Sequence, residues 1–188
     1  MQTEFMNPFG LEIDLVTGDM PQATNHIERL ASDMRGYYAD DGALEKLIAE
    51  NDDPLHYEVF EVPVPKDPGQ LMYCISKLQP GRVGDEFFMT KGHYHTSTET
   101  AEIYLCLRGA GYMVMKTPDG NCTAEEMTRG RMVYVPPYWA HRSVNTSENE
   151  PLVSFCVYPG NAGHNYGDIE QEGFGKRIVQ RNGKAVIE

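Results

Sequence analysis

The stretch Thr90–Gly109, TKGHYHTSTETAEIYLCLRG, decides how the rest of the chain is read. His93 and His95 lie one residue apart in a strand-like context, where alternate side chains project to the same face about 7 Å apart. That spacing suits two ligands of one ion. Glu102 opens the apolar run EIYLCL, whereas Glu99 sits in STET, a loop-like sequence. Glu102 is therefore the preferred carboxylate and Glu99 a solvated loop acid. A third imidazole, His141, follows Pro136-Pro137 in GRMVYVPPYWAHRSVN, residues 130–145, where Val133 and Val135 alternate around Tyr134. Imidazole with carboxylate favours divalent Fe, Ni, Zn, Mn or Cu over Ca or Mg. A lone strand histidine is ordinarily structural or exposed, and a core histidine bonded to backbone is the bland reading of His141. The HxH spacing and the following carboxylate favour a mononuclear metal site at His93, His95, Glu102 and His141 inside a β-barrel.

Working outward, the flanking sequence keeps the same period. HYEVFEVPVP, LMYCISKL, AEIYLCLRG, GYMVMKT, CTAEEM, RMVYVPP and PLVSFCVYP are short alternating segments separated by turn signals. Asp119-Gly120 reads as a type I′-like turn, and Asn182-Gly183 as a hairpin in the tail KRIVQRNGKAVIE. Strands at this spacing indicate an antiparallel sandwich or barrel. Before them, Asn7-Pro8, Phe9-Gly10 and Thr17-Gly18 suit an arm lying on the barrel surface. Ile27, Leu30 and Ala31 at i, i+3, i+4 predict a short amphipathic helix over 22–34, with His26 on its exposed side. Leu44, Leu47 and Ile48, capped by Asp40 or Asp41, predict a second helix ending before Asn51-Asp52-Asp53-Pro54. The expected fold is all-β, a double-sheet barrel with short N-terminal helices. At 188 residues it is one domain, with arm and helices at 1–53, barrel core at 54–160 and a C-terminal segment at 161–188.

Composition excludes several classes. A net charge of −12 argues against nucleic acid and anionic membrane as partners, since both reward basic surfaces. It also requires any anionic substrate to find local compensation from an ion, a lysine or oriented backbone N–H groups. Cys74, Cys106, Cys122 and Cys156 form no CxxC pair, and three of them lie in apolar runs, so reduced core thiols are expected. The amino-terminal MQTEFMNPFGLEIDL has neither a basic start nor an uninterrupted apolar stretch, so no secretory signal is expected and the protein is placed in the cytoplasm.

Gly92-His93-Tyr94-His95 with Glu102 and Gly109 resembles the first cupin motif, and Gly130, Pro136, His141 and Asn145 match the second, G-x5-P-x4-H-x3-N. Tyr138 departs from it, standing where the motif usually has glycine, and the gap before Glu102 is longer than the common one. That gap, with FFMTKGHYH, YVPPYWAHRSVN and YPGNAGHNYG, resembles the cupin-type glucose-6-phosphate isomerases, from the Pro8-Phe9-Gly10 arm to about Gly173.

The resemblance implies a cupin double-stranded β-helix, or jelly-roll barrel. It implies an aldose-ketose isomerase of glycolysis and gluconeogenesis that interconverts glucose 6-phosphate and fructose 6-phosphate, acting as a homodimer. One divalent transition metal per chain is implied, iron first, with nickel, zinc or manganese as alternatives, held by His93, His95, Glu102 and His141. Glu102 would also move the proton between C1 and C2 through an enediolate. In the family's metal-assisted hydride shift, Glu102 is a ligand only. Ser76, Thr90, Gly92, Tyr158 and Tyr166 fall at phosphate- or sugar-contacting positions, with Tyr57 and Tyr104 nearby, and His164 is placed as acid or base in ring opening. Ser76 stands where the family has threonine. Two other classes share these motifs: a metal-dependent cupin dioxygenase, and a sugar-binding cupin without catalysis.

Overall fold

The alternation that begins at Leu55 becomes a set of antiparallel ladders in the computed structural model, which describes residues 6–188. The first five residues of the expected arm lie outside the described residues. In chain order the elements are β1 (Asn25–Leu30), a 3₁₀ turn (Ala31–Met34), α1 (Asp41–Glu50), β2 (Leu55–Glu61), β3 (Leu71–Leu78), β4 (Arg82–Val83) and β5 (Glu86–Phe87). After these come β6 (Glu102–Arg108), β7 (Ala110–Lys116), β8 (Cys122–Thr128), β9 (Met132–Val135), β10 (Ala140–Asn145), β11 (Leu152–Pro159), α2 (Gly167–Glu172), β12 (Ile178–Arg181) and β13 (Lys184–Ile187).

One sheet runs β1-β2-β3-β11-β6-β9 and faces a second of order β10-β7-β8, with β13-β12-β5-β4 closing one side. Isolated bridges from Met89 to Val144 and from His93 to His141 lay the 89–93 segment beside β10. This is the jelly-roll barrel of the cupin type. Strand residues divide by parity, as a pleated sheet requires. Met72, Cys74 and Leu78 of β3 and Leu152, Cys156 and Tyr158 of β11 face the barrel core. The intervening Ile75 and Val153 pack outside it, with Leu11 and Ile13 of the arm and with Met20. The arm thus covers the outer face of the large sheet, as its turn residues suggest. Gly18, at φ +71°, lies so close that a Cβ there would meet Val153 at 2.4 Å.

α1 forms where expected, with the Asp40 side chain accepting from the Ala43 N–H. The expected helix over 22–34 does not form. Asn25–Leu30 is a strand pairing antiparallel with β2, and only Ala31–Met34 turns, as 3₁₀. The competing pattern was period 2: Ile27 and Arg29 alternate with exposed neighbours, and pairing with β2 satisfies backbone groups that a short helix would leave to its own bonds. His26 is exposed, stacked on Phe60 at 4.3 Å with Nε2 2.9 Å from Glu58.

Asn182 and Gly183, both at positive φ, make the two-residue turn between Arg181 and Lys184. The Asp119-Gly120 turn is of another kind. Only Gly120 has positive φ, and its N–H bonds to the Thr117 carbonyl, so Pro118 and Asp119 occupy the turn centre. Proline fixes φ near −65°, which a type I′ turn cannot accommodate. All four cysteines are free. Among the described residues no helix is long and apolar enough to cross a membrane.

Candidate active site

Period 2 along the large sheet also builds a cavity of about 260 Å³ at one end of the barrel. Its walls are the inward positions of five strands: Asn25, Ile27 and Arg29; Tyr57, Val59 and Glu61; Met72, Cys74 and Ser76; Cys156 and Tyr158; Glu102 and Tyr104. His141 and Ser143 of β10 and Thr90, Gly92 and His93 of the segment bridged to it close the cavity, and the segment after β11 adds His164 and Tyr166.

His93, His95, Glu102 and His141 converge there, with one ligand atom from each lying within 4.8 Å of the other three. Oε2 of Glu102 stands 3.1 Å from Nε2 of His95 and 3.0 Å from Nε2 of His141. The tautomer of His95 follows from its neighbour. The Thr100 hydroxyl donates to the Ser97 carbonyl, so the Thr100 oxygens facing Nδ1 of His95, at 2.8 and 3.2 Å, are both acceptors and Nδ1 carries a proton. Nε2 then presents either a second proton or a lone pair aimed at a cation; beside a buried carboxylate, positive charge is needed in both cases. Nε2 of His141 is close to Glu102 but out of line for a hydrogen bond, and Nε2 of His93 is buried with no partner. Such atoms are costly unless something occupies the point they share. Separations of 3.0 and 3.1 Å are those of adjacent ligands each about 2.1 Å from one ion. The residues therefore fit a divalent transition metal.

The electrostatics agree. Burial acts to raise the Glu102 carboxyl, but His141 and His95 beside it hold it down to about 2, so it is ionised. Burial, then the neighbouring His141, His164 and His95, push His93 well below the ordinary histidine value, leaving it neutral with a free lone pair. Glu99 lies on the surface.

The other expected site residues line the same cavity. Thr90 Oγ1 accepts from the Ser143 N–H at 3.1 Å, which leaves its hydroxyl proton free to be donated. Gly92 has φ +75°, and a Cβ there would meet Phe174 at 2.8 Å and Arg142 Cβ at 2.9 Å, so only glycine lets this strand approach so closely. Burial raises the tyrosines above their ordinary value, Tyr57 to about 12 and Tyr104, Tyr158 and Tyr166 also upward, so their hydroxyls remain donors. Tyr158 donates to Glu61 at 3.1 Å. The His164 ring lies 4.4 Å from that of His93 and stacks with Tyr166 at 6.0 Å. Burial depresses its basicity.

Sequence reading missed Asn25, Arg29, Glu61 and Lys66 on the cavity wall. Asn25 and Arg29 went unseen because β1 was expected to be helical; alternation through NHIERL is the signal that places them on one face. Glu61 and Lys66 lie in and after a strand whose inward parity only β2's pairing defines.

Residues 28–187, from β1 to β13, match the family model described as Glucose-6-phosphate isomerase (GPI). A glucose-6-phosphate isomerase of Thermococcus litoralis is 45% identical over 184 residues, covering 98% of this chain and 95% of that protein. One of Pyrococcus furiosus is 43% identical over 183 residues, covering 97% and 95%. Among solved structures, a Bacillus subtilis oxalate decarboxylase variant superposes on 59% of this chain and 27% of its own, at 19% identity and a TM-score of 0.44. That likeness is too remote and partial to inform on function. The family match and the relatives, both spanning nearly the whole sequence, establish that the chain belongs to the cupin-type glucose-6-phosphate isomerase family.

Proposed function

We propose that this protein interconverts glucose 6-phosphate and fructose 6-phosphate with the help of one divalent transition metal, iron first among the candidates, held by His93, His95, Glu102 and His141. The observation that carries the reading is the convergence of three imidazoles and a carboxylate, with His93, Glu102 and His141 on the wall of a cavity that hydroxyl-bearing residues also line. A divalent cation supplies Lewis acidity and offsets the negative charge that develops when a proton leaves carbon beside a carbonyl. The chain's residues do the rest. Ser76, Thr90, Tyr57 and Tyr166 and the backbone of Gly92 offer neutral donors to phosphate and sugar oxygens, and Tyr158, whose proton goes to Glu61, accepts from a sugar hydroxyl. Tyr104 lies beside Glu102 and orients the carbonyl end. His164, neutral and at the wall, exchanges the ring-oxygen proton as the sugar opens. Glu102, ionised and among the inward residues, takes the proton from C2 of the aldose and returns it to C1 of the enediolate, in reverse for the ketose.

By the same reading we propose a role in glycolysis and gluconeogenesis, in the cytoplasm and as a homodimer. Edge strand β9, with Met132 and Tyr134 exposed, supports a pairing surface, and the solution mass checks it.

A coupled assay of fructose 6-phosphate conversion, before and after EDTA and then with Fe, Ni, Mn or Zn restored, tests the whole reading. Conversion lost on chelation and regained with metal is expected; no conversion under any metal rejects it, and oxygen uptake without conversion moves the chain to the dioxygenases. Glu102→Gln is expected to lower kcat by about 10² to 10⁴-fold, the worth of a general base. Product formed in deuterium oxide without label at the transferred position would replace proton transfer by a hydride shift and leave Glu102 a ligand only.

A further inference from the structure

Cys74 and Cys156 are direct cross-strand partners on β3 and β11. Both face inward and both line the cavity described above, and the Cys156 thiol is directed at the Ser154 carbonyl at 3.9 Å. Nothing in the isomerase chemistry uses them. We propose that they are a dithiol modification site, which a peroxide closes into a disulfide and which slows turnover while closed.

The geometry permits the bond. Residues directly opposed in an antiparallel pair have Cα atoms about 4.5–5.5 Å apart, inside the roughly 4.4–6.8 Å that disulfides span. The other two cysteines are elsewhere engaged or placed. Cys106 points its sulfur at the Arg108 and Gly109 carbonyls, and Cys122 opens β8 in the other sheet. Cys74, 7% exposed against 1% for Cys156, is the sulfur that meets a small oxidant entering the cavity. It attacks one peroxide oxygen, the O–O bond breaks, and a sulfenic acid and water (or alcohol) form. The Cys156 sulfur then attacks the sulfenic sulfur, its proton leaves with the displaced hydroxyl as a second water, and the S–S bond forms. Two thiols are oxidised, one peroxide is reduced, and a dithiol reductant reverses the change.

The consequence follows from what shares these strands. Cys74 is two residues from Ser76 on one inward face, and Cys156 two from Tyr158 on the next, with Tyr104 opposite Cys156. Drawing the paired Cβ atoms from about 5 Å to the roughly 3.8 Å of a disulfide pulls β3 and β11 together, shifting Ser76 toward Ser154 and Tyr158 toward Met72. Displacements of this order are worth up to about 10²-fold in rate.

Treatment of the purified protein with hydrogen peroxide tests the proposal by mass and by turnover. The expected result is loss of two hydrogens in intact mass, a Cys74–Cys156 linked peptide, isomerase activity down about tenfold or more, and recovery of both with dithiothreitol. Cys156→Ser should form no link and keep its activity through mild treatment, while Cys106→Ser and Cys122→Ser should respond as the parent does. Absence of the linked peptide overturns the proposal, as does unchanged activity in fully linked protein or equal inactivation of Cys156→Ser. The linked peptide is read without reference to turnover, so its failure is separable from failure of the isomerase reading.

Discussion

Two residues outside the cluster of His93, His95, Glu102 and His141 store free energy in ways that single substitutions expose. Tyr138, 57% exposed, is held at φ +71°, at the position where the cupin motif usually carries glycine. The left-handed region costs a residue with a Cβ about 1–2 kcal/mol, and glycine's greater unfolded freedom returns roughly 0.5–1 kcal/mol of that. Tyr138→Gly is therefore expected to raise unfolding stability by up to about 1 kcal/mol, and denaturant unfolding measures it. A loss would mean that the tyrosine ring makes contacts worth more than the strain. His56 acts through pH instead. It is wholly buried, bonded through Nε2 to the Tyr38 hydroxyl at 2.8 Å and packed against Phe88 at 4.0 Å, and burial drops its pKa to about 3. The unfolded chain binds a proton near pH 6.5 that the folded chain refuses until about 3. Its contribution is thus fully present above pH 6.5 and is lost as pH falls, at about 1.4 kcal/mol per pH unit. Unfolding measured at pH 7 and pH 5 should give a shallower decline in His56→Phe than in the parent; equal declines would dismiss this source.

At the level of the strand, β1 matters most, because its misreading as a helix concealed Arg29, one of the cavity's two basic residues. Period 2 in β3, β6 and β11 is strong enough to read directly, and the HxH spacing with Glu102 and His141 is legible for the same reason: alternate residues share a face. In β1 the six residues NHIERL satisfy both periods, and only the open edge of β2, invisible in sequence, settles it. The Thr100 contact that orients His95 was equally hidden, since it depends on how the 96–100 loop folds back. Strand parity now puts Arg29 on the wall with Tyr57, in a chain whose overall charge repels an anion. Hydrogen bonds to charged groups are worth about 1.5–3 kcal/mol. Arg29→Ala is accordingly expected to raise KM for the sugar phosphate roughly ten- to hundredfold with kcat little changed, and Arg29→Lys to recover part of it. Steady-state kinetics with unchanged KM in Arg29→Ala would assign the phosphate to Lys66 and the hydroxyl and amide donors.

Across the whole molecule, the four converging side chains come from separate parts of the barrel. Glu102 belongs to β6 in the six-stranded sheet, His141 to β10 in the facing sheet, and His93 and His95 to the segment bridged to β10 and to Asn165. An ion held by all four ties the two sheets together, and such a site does not survive unfolding, so its binding free energy adds to folding stability. At a metal concentration a hundredfold above Kd the gain is about 2.7 kcal/mol, and for a domain of this size each kcal/mol moves Tm by about 2–4 °C. Chelation should then lower Tm by about 5–10 °C, with return on adding metal. Glu102→Gln should fold yet show a much smaller shift, because an amide oxygen replaces the anionic ligand. The same variant separates this effect from general removal of surface-bound cations, which the acidic chain attracts in either form. A melting temperature indifferent to chelator and metal alike would show that the cluster does not clamp the sheets, whatever the assay of turnover finds.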